Sequence, residues 1–313
     1  MAANSTSHIL QSLVANSLIA LAKGMAAFLT GSGTMLAETL HSAADCGNQL
    51  LLLLGVKRSR MAPTKSHPLG YGRALYFWSF MVAVLLFLGG GVFSIYEGVH
   101  KLLQPDAVGS VWLGVGILLF SLVIEGWATW GNVKELHRRR GQVPFFRFLR
   151  ETKDSDLVVV FGENSAAVLG LILATAALLM SAATNDGRWD AIGSLSIGLV
   201  LVGVALFLAI EVKSLLVGEA ADPAIDAAAR QLALEDPRLA EVLSLVTLQQ
   251  GPGEVVVAMK IRVQADLSAR DVCAVINAFE ARLRAKRPEV RWCFVEPDHP
   301  DVASTPEAAL NSV

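Results

Sequence analysis

The stretch from residue 35 to 56, MLAETLHSAADCGNQLLLLLGV, constrains this chain more than any other. It is long enough to cross a bilayer as a helix, yet it contains Glu38, His41 and Asp45. Spacings of three and four residues place these side chains on one helical face. Ionisable groups near the middle of a spanning helix are costly and usually face an ion or proton path. The pattern therefore predicts a polar site inside a membrane, with a polar contact between helices as the alternative.

The composition of the chain also favours a membrane protein. Of 313 residues, 53% are hydrophobic and only 17% are charged, which is too apolar for an ordinary soluble protein of this length. The formal net charge of −2 argues against a nucleic-acid partner, because neutralising phosphates needs a basic surplus. The three cysteines lack CxxC spacing, so neither a disulfide framework nor a cysteine-rich zinc site is predicted. The N-terminal segment has no basic region and no cleavage site, and we expect no cleavable signal peptide.

Apolar runs long enough to cross a membrane predict six transmembrane helices, at residues 8–29, 35–56, 76–103, 111–136, 156–183 and 190–217. Basic residues concentrate in the loops after the second and fourth runs. By the positive-inside rule both loops lie in the cytoplasm, and six spans then place both termini there too. No Arg-rich transit segment is evident, which favours the plasma (inner) membrane over that of an organelle.

The composition after Gly218 is that of a small soluble domain. We predict helices at 222–234, with Asp222 as N-cap, and at 268–284, and strands at 242–248, 255–263 and 290–295. This αββαβ order indicates an α+β layer. The predicted organisation is a transmembrane domain at 1–217, a cytoplasmic domain at 218–297 and a disordered tail at 298–313.

A partner for the polar face of the second span is found in the fifth span, within FGENSAAVLG. Helical rise places Asp45 about 16 Å from the cytoplasmic end of its helix and Glu163 and Asn164 about 10 to 12 Å from theirs. Those depths are compatible with a shared site. A histidine nitrogen, two carboxylates and an amide oxygen suit Zn²⁺, with Mn²⁺, Fe²⁺, Co²⁺ and Ni²⁺ as further candidates.

Taken together, these features resemble the cation diffusion facilitator family of divalent-metal exporters. The resemblance rests on HxxxD at His41 to Asp45, SHPLGYGR at 66–73, IYEGVHKLLQP at 95–105 and the αββαβ domain. It implies a homodimer formed through a ferredoxin-like, metallochaperone-like C-terminal domain. It also implies exchange of zinc or a similar ion for protons between spans two and five, without a prosthetic group.

The fifth span departs from the usual family motif, in which two ligands stand four residues apart. The matching positions here are Glu163 and Ala167, so one ligand is missing. The segment ENSAAVLG is instead similar to the branch that includes mitochondrial zinc transporters. We therefore expect His41, Asp45 and Glu163 to bind the metal, with Asn164 or water completing the site. The alternative for Glu163 is an interfacial carboxylate near a helix end.

Three other polar residues, Glu38, Glu125 and His67, also have functional interpretations. We expect Glu38 to orient His41, because a ligating histidine usually donates its other ring proton to an acceptor. Glu125, within the fourth span, is either a proton relay or a hydrogen-bond contact between helices. His67 is either a transient metal contact or an ordinary loop histidine. The soluble domain has no histidine before His299, so we expect it to bind metal weakly or not at all.

Two other functional classes compete with transport. An intramembrane metalloenzyme could hold a catalytic metal at HxxxD, but the spans show no second histidine near the site and no evident nucleophile or general base. A membrane scaffold could recruit partners through the soluble domain and would tolerate loss of Asp45. A transporter, and not an enzyme, accounts for more of the pattern.

Overall fold

The computed structural model describes residues 2–104, 110–152 and 155–298. Apart from Asp298, the predicted disordered tail lies outside the described residues. The chain divides into two units, one built of long helices and one built on a small sheet.

The first unit consists mainly of long helices. In chain order its elements are α1 (Ala2–Thr30), α2 (Gly33–Ser59), α3 (Ala74–Leu85), a π-helical turn (Leu86–Val92), α4 (Phe93–Leu103), α5 (Val111–Arg140), the short α6 (Phe145–Glu151), α7 (Ser155–Thr184) and α8 (Arg188–Val217). The helix ends lie within a few residues of the predicted ones, except that α1 begins earlier, because apolar length fixes where such helices stop.

Four helical segments of the described chain are long and apolar enough to cross a membrane: Ala74–Leu103, Val111–Arg140, Val158–Thr184 and Arg188–Val217. Within the part of α1 whose side chains the structure describes, the apolar stretch is Asn16–Thr30. α2 has 27 residues and is long enough to cross a membrane, but it is less apolar, because it contains Glu38, His41 and Asp45 and has a basic last turn. The chain is thus a helical membrane protein with at least four apolar spans, and the six-span count stays a prediction.

Asp190, in the first turn of α8, binds the N-terminus of α2. This contact lies at the ends of the helices away from the basic loops. The Asp190 carboxylate accepts hydrogen bonds from the backbone N–H groups of Gly33 at 2.6 Å and Thr34 at 3.2 Å, and from the hydroxyl of Ser32. Lys101 Nζ lies 3.8 Å from the same carboxylate. The first N–H groups of a helix have no partner within it, and a negative charge there complements the helix dipole. The contact therefore ties α2, α4 and α8 together.

The helical segment from α3 to α4 packs against α2 along its length, and α8 packs against it from the π-helical turn onward. α3 packs against α2, where a Cβ at Gly55 would meet Leu75 at 3.0 Å. α4 packs against α8, where a Cβ at Gly98 would lie 2.7 Å from the backbone nitrogen of Leu195. Glycine is therefore required for this approach of the α4 and α8 backbones.

The second unit contains a three-stranded sheet and two helices. Its elements are α9 (Pro223–Leu234), β1 (Leu239–Gly251), β2 (Glu254–Val263), α10 (Ala269–Lys286) and β3 (Val290–Pro297). The sheet order is β1-β2-β3, with β1 and β2 antiparallel and β2 and β3 parallel. A parallel pair needs a crossover, and α10 supplies it. The predicted N-cap at Asp222 is confirmed, since its side chain accepts a hydrogen bond from Ala224 N at 2.8 Å.

The core of this unit is apolar and lies between the sheet and its helices. Val257, Ile261, Phe279, Leu283 and Val290 are each at most 2% exposed. Burial of such side chains contributes roughly 1.5 to 3 kcal/mol each.

The loop at residues 62–73 belongs to the second unit and rests on the turn between β1 and β2. A Cβ at Gly72 would lie 2.7 Å from the carbonyl oxygen of Gln250, and one at Gly251 would lie 2.7 Å from the Cα of Gly72. The two backbones thus touch without intervening side chains.

Candidate metal centre

His41 and Asp45 lie one helical turn apart on α2 and face each other. His41 Nε2 is 3.7 Å from Asp45 Oδ2, and the side chains are 1% and 17% exposed. Both ring nitrogens of His41 and Oδ1 of Asp45 are buried without a hydrogen-bond partner among the described residues. Buried polar atoms normally form hydrogen bonds. A buried nitrogen or oxygen that forms none can offer its lone pair to a cation.

Glu163 comes from α7 and is held by a residue of α2. Asn48 Nδ2 donates a hydrogen bond of 2.6 Å to Glu163 Oε1. Asn48 is fully buried and follows Asp45 by three residues, so it lies on the same face of α2. The prediction from sequence missed Asn48, although its spacing from His41 and Asp45 was the available signal.

A cavity of about 610 Å³ lies beside these residues. It runs from the middle of the helices towards the ends that carry the basic loops, and its wall includes Ser42, Asp45, Glu125, Asn132, Glu163, Asn164 and Ala167. Asn164 thus borders the same space as Asp45 and Glu163. Ala167 contributes a methyl group where a ligand stands in the usual family motif. The cavity is large enough to admit a hydrated ion to Asp45 and Glu163.

The four predicted ligands do not form a closed shell in the structure. Within the described residues, no three His, Cys, Asp or Glu side chains converge into a ligand cluster. What the structure brings together is the His41–Asp45 pair on α2, with Glu163 and Asn164 across the cavity on α7. The assignment of these four residues as ligands therefore stays a prediction.

Lys23 of α1 is buried beside the candidate centre and was missed by the sequence reasoning. Its ammonium donates to Glu38 Oε2 at 3.0 Å, to Ser42 Oγ at 2.9 Å and to Glu125 Oε1 at 3.2 Å. A single basic residue in the apolar run LIALAKGMAAFLT was the available signal. Glu38, expected to orient His41, thus has Lys23 as its partner in the structure.

Glu125 of α5 contacts Lys23 and also borders the cavity. One carboxylate oxygen accepts from Lys23, and the other, Oε2, is buried without a partner among the described residues. The residue also lines the cavity. The contact with Lys23 joins α5 to α1, as expected for a polar contact between helices, while the proton-relay role stays a prediction.

His67 lies in the exposed loop of the second unit. Its Nδ1 is 3.1 Å from Ser66 Oγ, and its ring stacks on Tyr71 with centroids 4.3 Å apart. These contacts account for its orientation, and a metal contact at this position stays a prediction.

The family model of the cation efflux transmembrane domain matches residues 9–217. Among curated proteins, the chain is 31% identical over 266 residues to the mitochondrial proton-coupled zinc antiporter SLC30A9 of Homo sapiens, covering 84% of this chain and 46% of the relative. It is 32% identical over 195 residues to metal tolerance protein C4 of Arabidopsis thaliana, covering 62% and 43%. It is 25% identical over 282 residues to magnetosome protein MamB of Paramagnetospirillum magneticum, covering 88% of both. The chain spans about half the length of the first of these relatives.

Proposed function

The chain belongs to the cation efflux family, and on that premise we propose that it carries a divalent metal ion, foremost zinc, across a membrane in exchange for protons. The predicted likeness to the branch with mitochondrial zinc transporters is confirmed. The prediction that the chain is not an enzyme is confirmed as well, since the family is one of cation efflux proteins and the first relative named above is a zinc antiporter.

The observation that carries the proposal is the cavity shared by Asp45 and Glu163. It gives ions a path from the ends with the basic loops to carboxylates at the middle of the helices. Buried His41 stands beside Asp45, which adds a nitrogen donor. Imidazole and carboxylate suit Zn²⁺ and do not favour Cu⁺. Ionisable groups at that depth are most readily explained by an ion path.

The membrane arrangement that we propose counts α1 and α2 as spans, giving six. Both termini then lie in the cytoplasm, the basic loops being on that side by the positive-inside rule. The cavity faces the cytoplasm in this arrangement. The sheet unit is the ferredoxin-like domain through which two copies form a dimer. A bacterial inner membrane is our proposed location, although the zinc antiporter named above is mitochondrial.

The mechanism that we propose couples metal to protons through shared ligands. Metal binding needs neutral imidazole and ionised carboxylates, so arrival of an ion at His41, Asp45 and Glu163 displaces protons. A rocking movement of the helices then exposes the ligands to the other side, where protons displace the metal. The protonated site then returns to its first orientation, where it can release the protons and bind metal again.

The test is transport by the full chain in liposomes, with a zinc indicator and a pH indicator read together. We expect zinc to move against protons in the wild type and not in Asp45→Ala. Thr39→Val is the matched control, because the Thr39 hydroxyl bonds only its own helix, to Met35 O at 2.7 Å. Competition by Mn²⁺, Fe²⁺, Co²⁺ and Ni²⁺ ranks the ions.

Each other outcome has a definite meaning. Zinc flux that is indifferent to the pH gradient contradicts proton exchange and leaves metal transport standing. No flux in correctly folded wild type contradicts the proposed transport and favours the scaffold. Equal zinc flux in the wild type and Asp45→Ala contradicts the proposed site and leaves transport standing.

A further inference from the structure

Lys23 places a fixed positive charge in the interior of the helical unit. Its side chain is 0% exposed, and its three ammonium protons are matched by three oxygen acceptors, on Glu38, Ser42 and Glu125. These acceptors come from α2 and α5, while Lys23 comes from α1. One ammonium thus joins three helices next to the candidate metal centre.

The charges in this group do not cancel. One ammonium faces two carboxylates, which leaves a formal charge of −1, and one oxygen of each carboxylate, Glu38 Oε1 and Glu125 Oε2, is buried without a hydrogen bond among the described residues. Removing a buried ion's partner is strongly destabilising because a charge remains uncompensated. Without Lys23, these carboxylates would be neutralised by a proton or by another cation.

The acceptors around Lys23 are also those that a metal cation takes. Two carboxylate oxygens and a hydroxyl oxygen surround the nitrogen at 2.9 to 3.2 Å. Oxygen donors of this kind bind hard divalent cations. The Lys23 ammonium is therefore surrounded by oxygen atoms of the kind that bind a metal cation.

Two of the residues that bind the Lys23 ammonium border the cavity described above. Ser42 and Glu125 line the same cavity as Asp45 and Glu163. An ion that arrives at Asp45 is therefore in a space that the carboxylate of Glu125 also lines. The interaction with Lys23 occupies one oxygen of this carboxylate, and its other oxygen has no hydrogen-bond partner among the described residues.

We propose that Lys23 acts as a tethered cation that keeps a second divalent ion out of the Glu38–Ser42–Glu125 group and confines the cargo to His41, Asp45 and Glu163. This inference rests on the proposed function. Lys23 is thus a positioning residue that limits the load to one ion per protomer. In its absence, the two carboxylates become a second site for a divalent cation, zinc included.

The experiment counts zinc ions bound per protomer in the purified full chain, by calorimetric titration after removal of metal with a chelator. We expect one ion in the wild type and a doubling to two in Lys23→Met. Lys23→Arg, which keeps the charge, retains one ion. The double variant Lys23→Met, Glu125→Gln returns to one, because it removes a carboxylate of the new site.

Lys23→Gln keeps an N–H donor for Ser42 and serves where Lys23→Met does not fold. A folded Lys23→Met or Lys23→Gln protein that still binds one ion overturns the inference. So does a doubling that persists after Glu125→Gln. Absence of stoichiometric zinc in the wild type would instead contradict the proposed function, so the two failures are distinguishable.

Discussion

Asn48 donates a 2.6 Å hydrogen bond to Glu163 and thereby joins α2 to α7 at the wall of the cavity. The contact fixes one oxygen of the carboxylate that the proposed centre needs. Asn48 lies on the same helical face as His41 and Asp45, so a single face of α2 presents two of the proposed ligands and positions a third from another helix.

Asn48→Ala should weaken zinc binding and transport about 10- to 100-fold, the usual effect of removing a group that orients a metal ligand. The physical reason is that Glu163 loses the contact that holds its rotamer. Zinc affinity of the purified chain and flux in liposomes measure the effect. Thr39→Val on the same helix is the control, and equal zinc affinity in wild type and Asn48→Ala would show that the contact has no part in binding.

Asp190→Ala should lower the thermal stability of the full chain. The carboxylate is 1% exposed and accepts from two backbone N–H groups and a hydroxyl, so its removal leaves buried donors unpaired. We expect a loss of at least about 2 kcal/mol, or a melting temperature lower by about 5 °C. Asp190→Asn keeps one acceptor oxygen and should lose less. A melting temperature for Asp190→Ala equal to that of the wild type would contradict the structural role.

Gly72→Ala should loosen loop 62–73 from the turn between β1 and β2. The added Cβ would lie 2.7 Å from the carbonyl oxygen of Gln250, closer than side-chain carbons approach in proteins, so the loop must move. We expect overpacking to cost roughly 1 to 3 kcal/mol. Hydrogen exchange of the loop and of the turn should then be at least about fivefold faster, since 1.4 kcal/mol corresponds to a factor of ten. Gly203→Ala, with no atom within 4 Å of the new Cβ, should leave that exchange unchanged.

Cys293 and Cys273 should differ in reactivity. Burial raises the pKa of the Cys293 thiol from about 9 to about 12, whereas Cys273 is exposed. Because the thiolate is the nucleophile, a maleimide at neutral pH should label Cys273 in the folded chain and Cys293 only after denaturation. Mass spectrometry of labelled peptides measures this, with Cys273→Ser as control. Rapid labelling of Cys293 in the folded chain would show that the core opens readily.

The Cys293 thiol should also make the stability of the folded chain depend on pH. The folded state keeps the Cys293 proton to higher pH than the unfolded state does, so the unfolded state loses its proton first as pH rises. Stability from this group is therefore full below pH 9 and falls as pH rises towards 12. Cys293→Ala should flatten that part of the stability curve, measured as melting temperature against pH.

The long helices and the polar face of α2 could be predicted because both depend on local sequence. Apolar length determines where a helix enters and leaves a bilayer, and residues three or four apart share a helical face whatever surrounds them. His41 and Asp45 therefore face each other as expected.

The partners of these residues in other helices could not be predicted, because packing and not spacing decides them. Lys23 is 15 residues from Glu38 and 102 from Glu125, and Asn48 is 115 from Glu163. No periodicity relates residues that far apart. The prediction paired Glu38 with His41 because a ligating histidine usually donates its other ring proton to an acceptor, whereas the structure pairs Glu38 with an ammonium from α1.

The π-helical turn at Leu86–Val92 limits which insertions and deletions this protein tolerates. It lies between α3, which packs on α2, and α4, which packs on α2 and, through Gly98, on α8. Each residue of an α-helix turns the chain by about 100°. Losing or gaining one residue in this turn would therefore rotate one half by that angle and carry Gly98 away from Leu195. The number of residues in this turn is thus under constraint, in addition to the small size that Gly91 needs beside Val202.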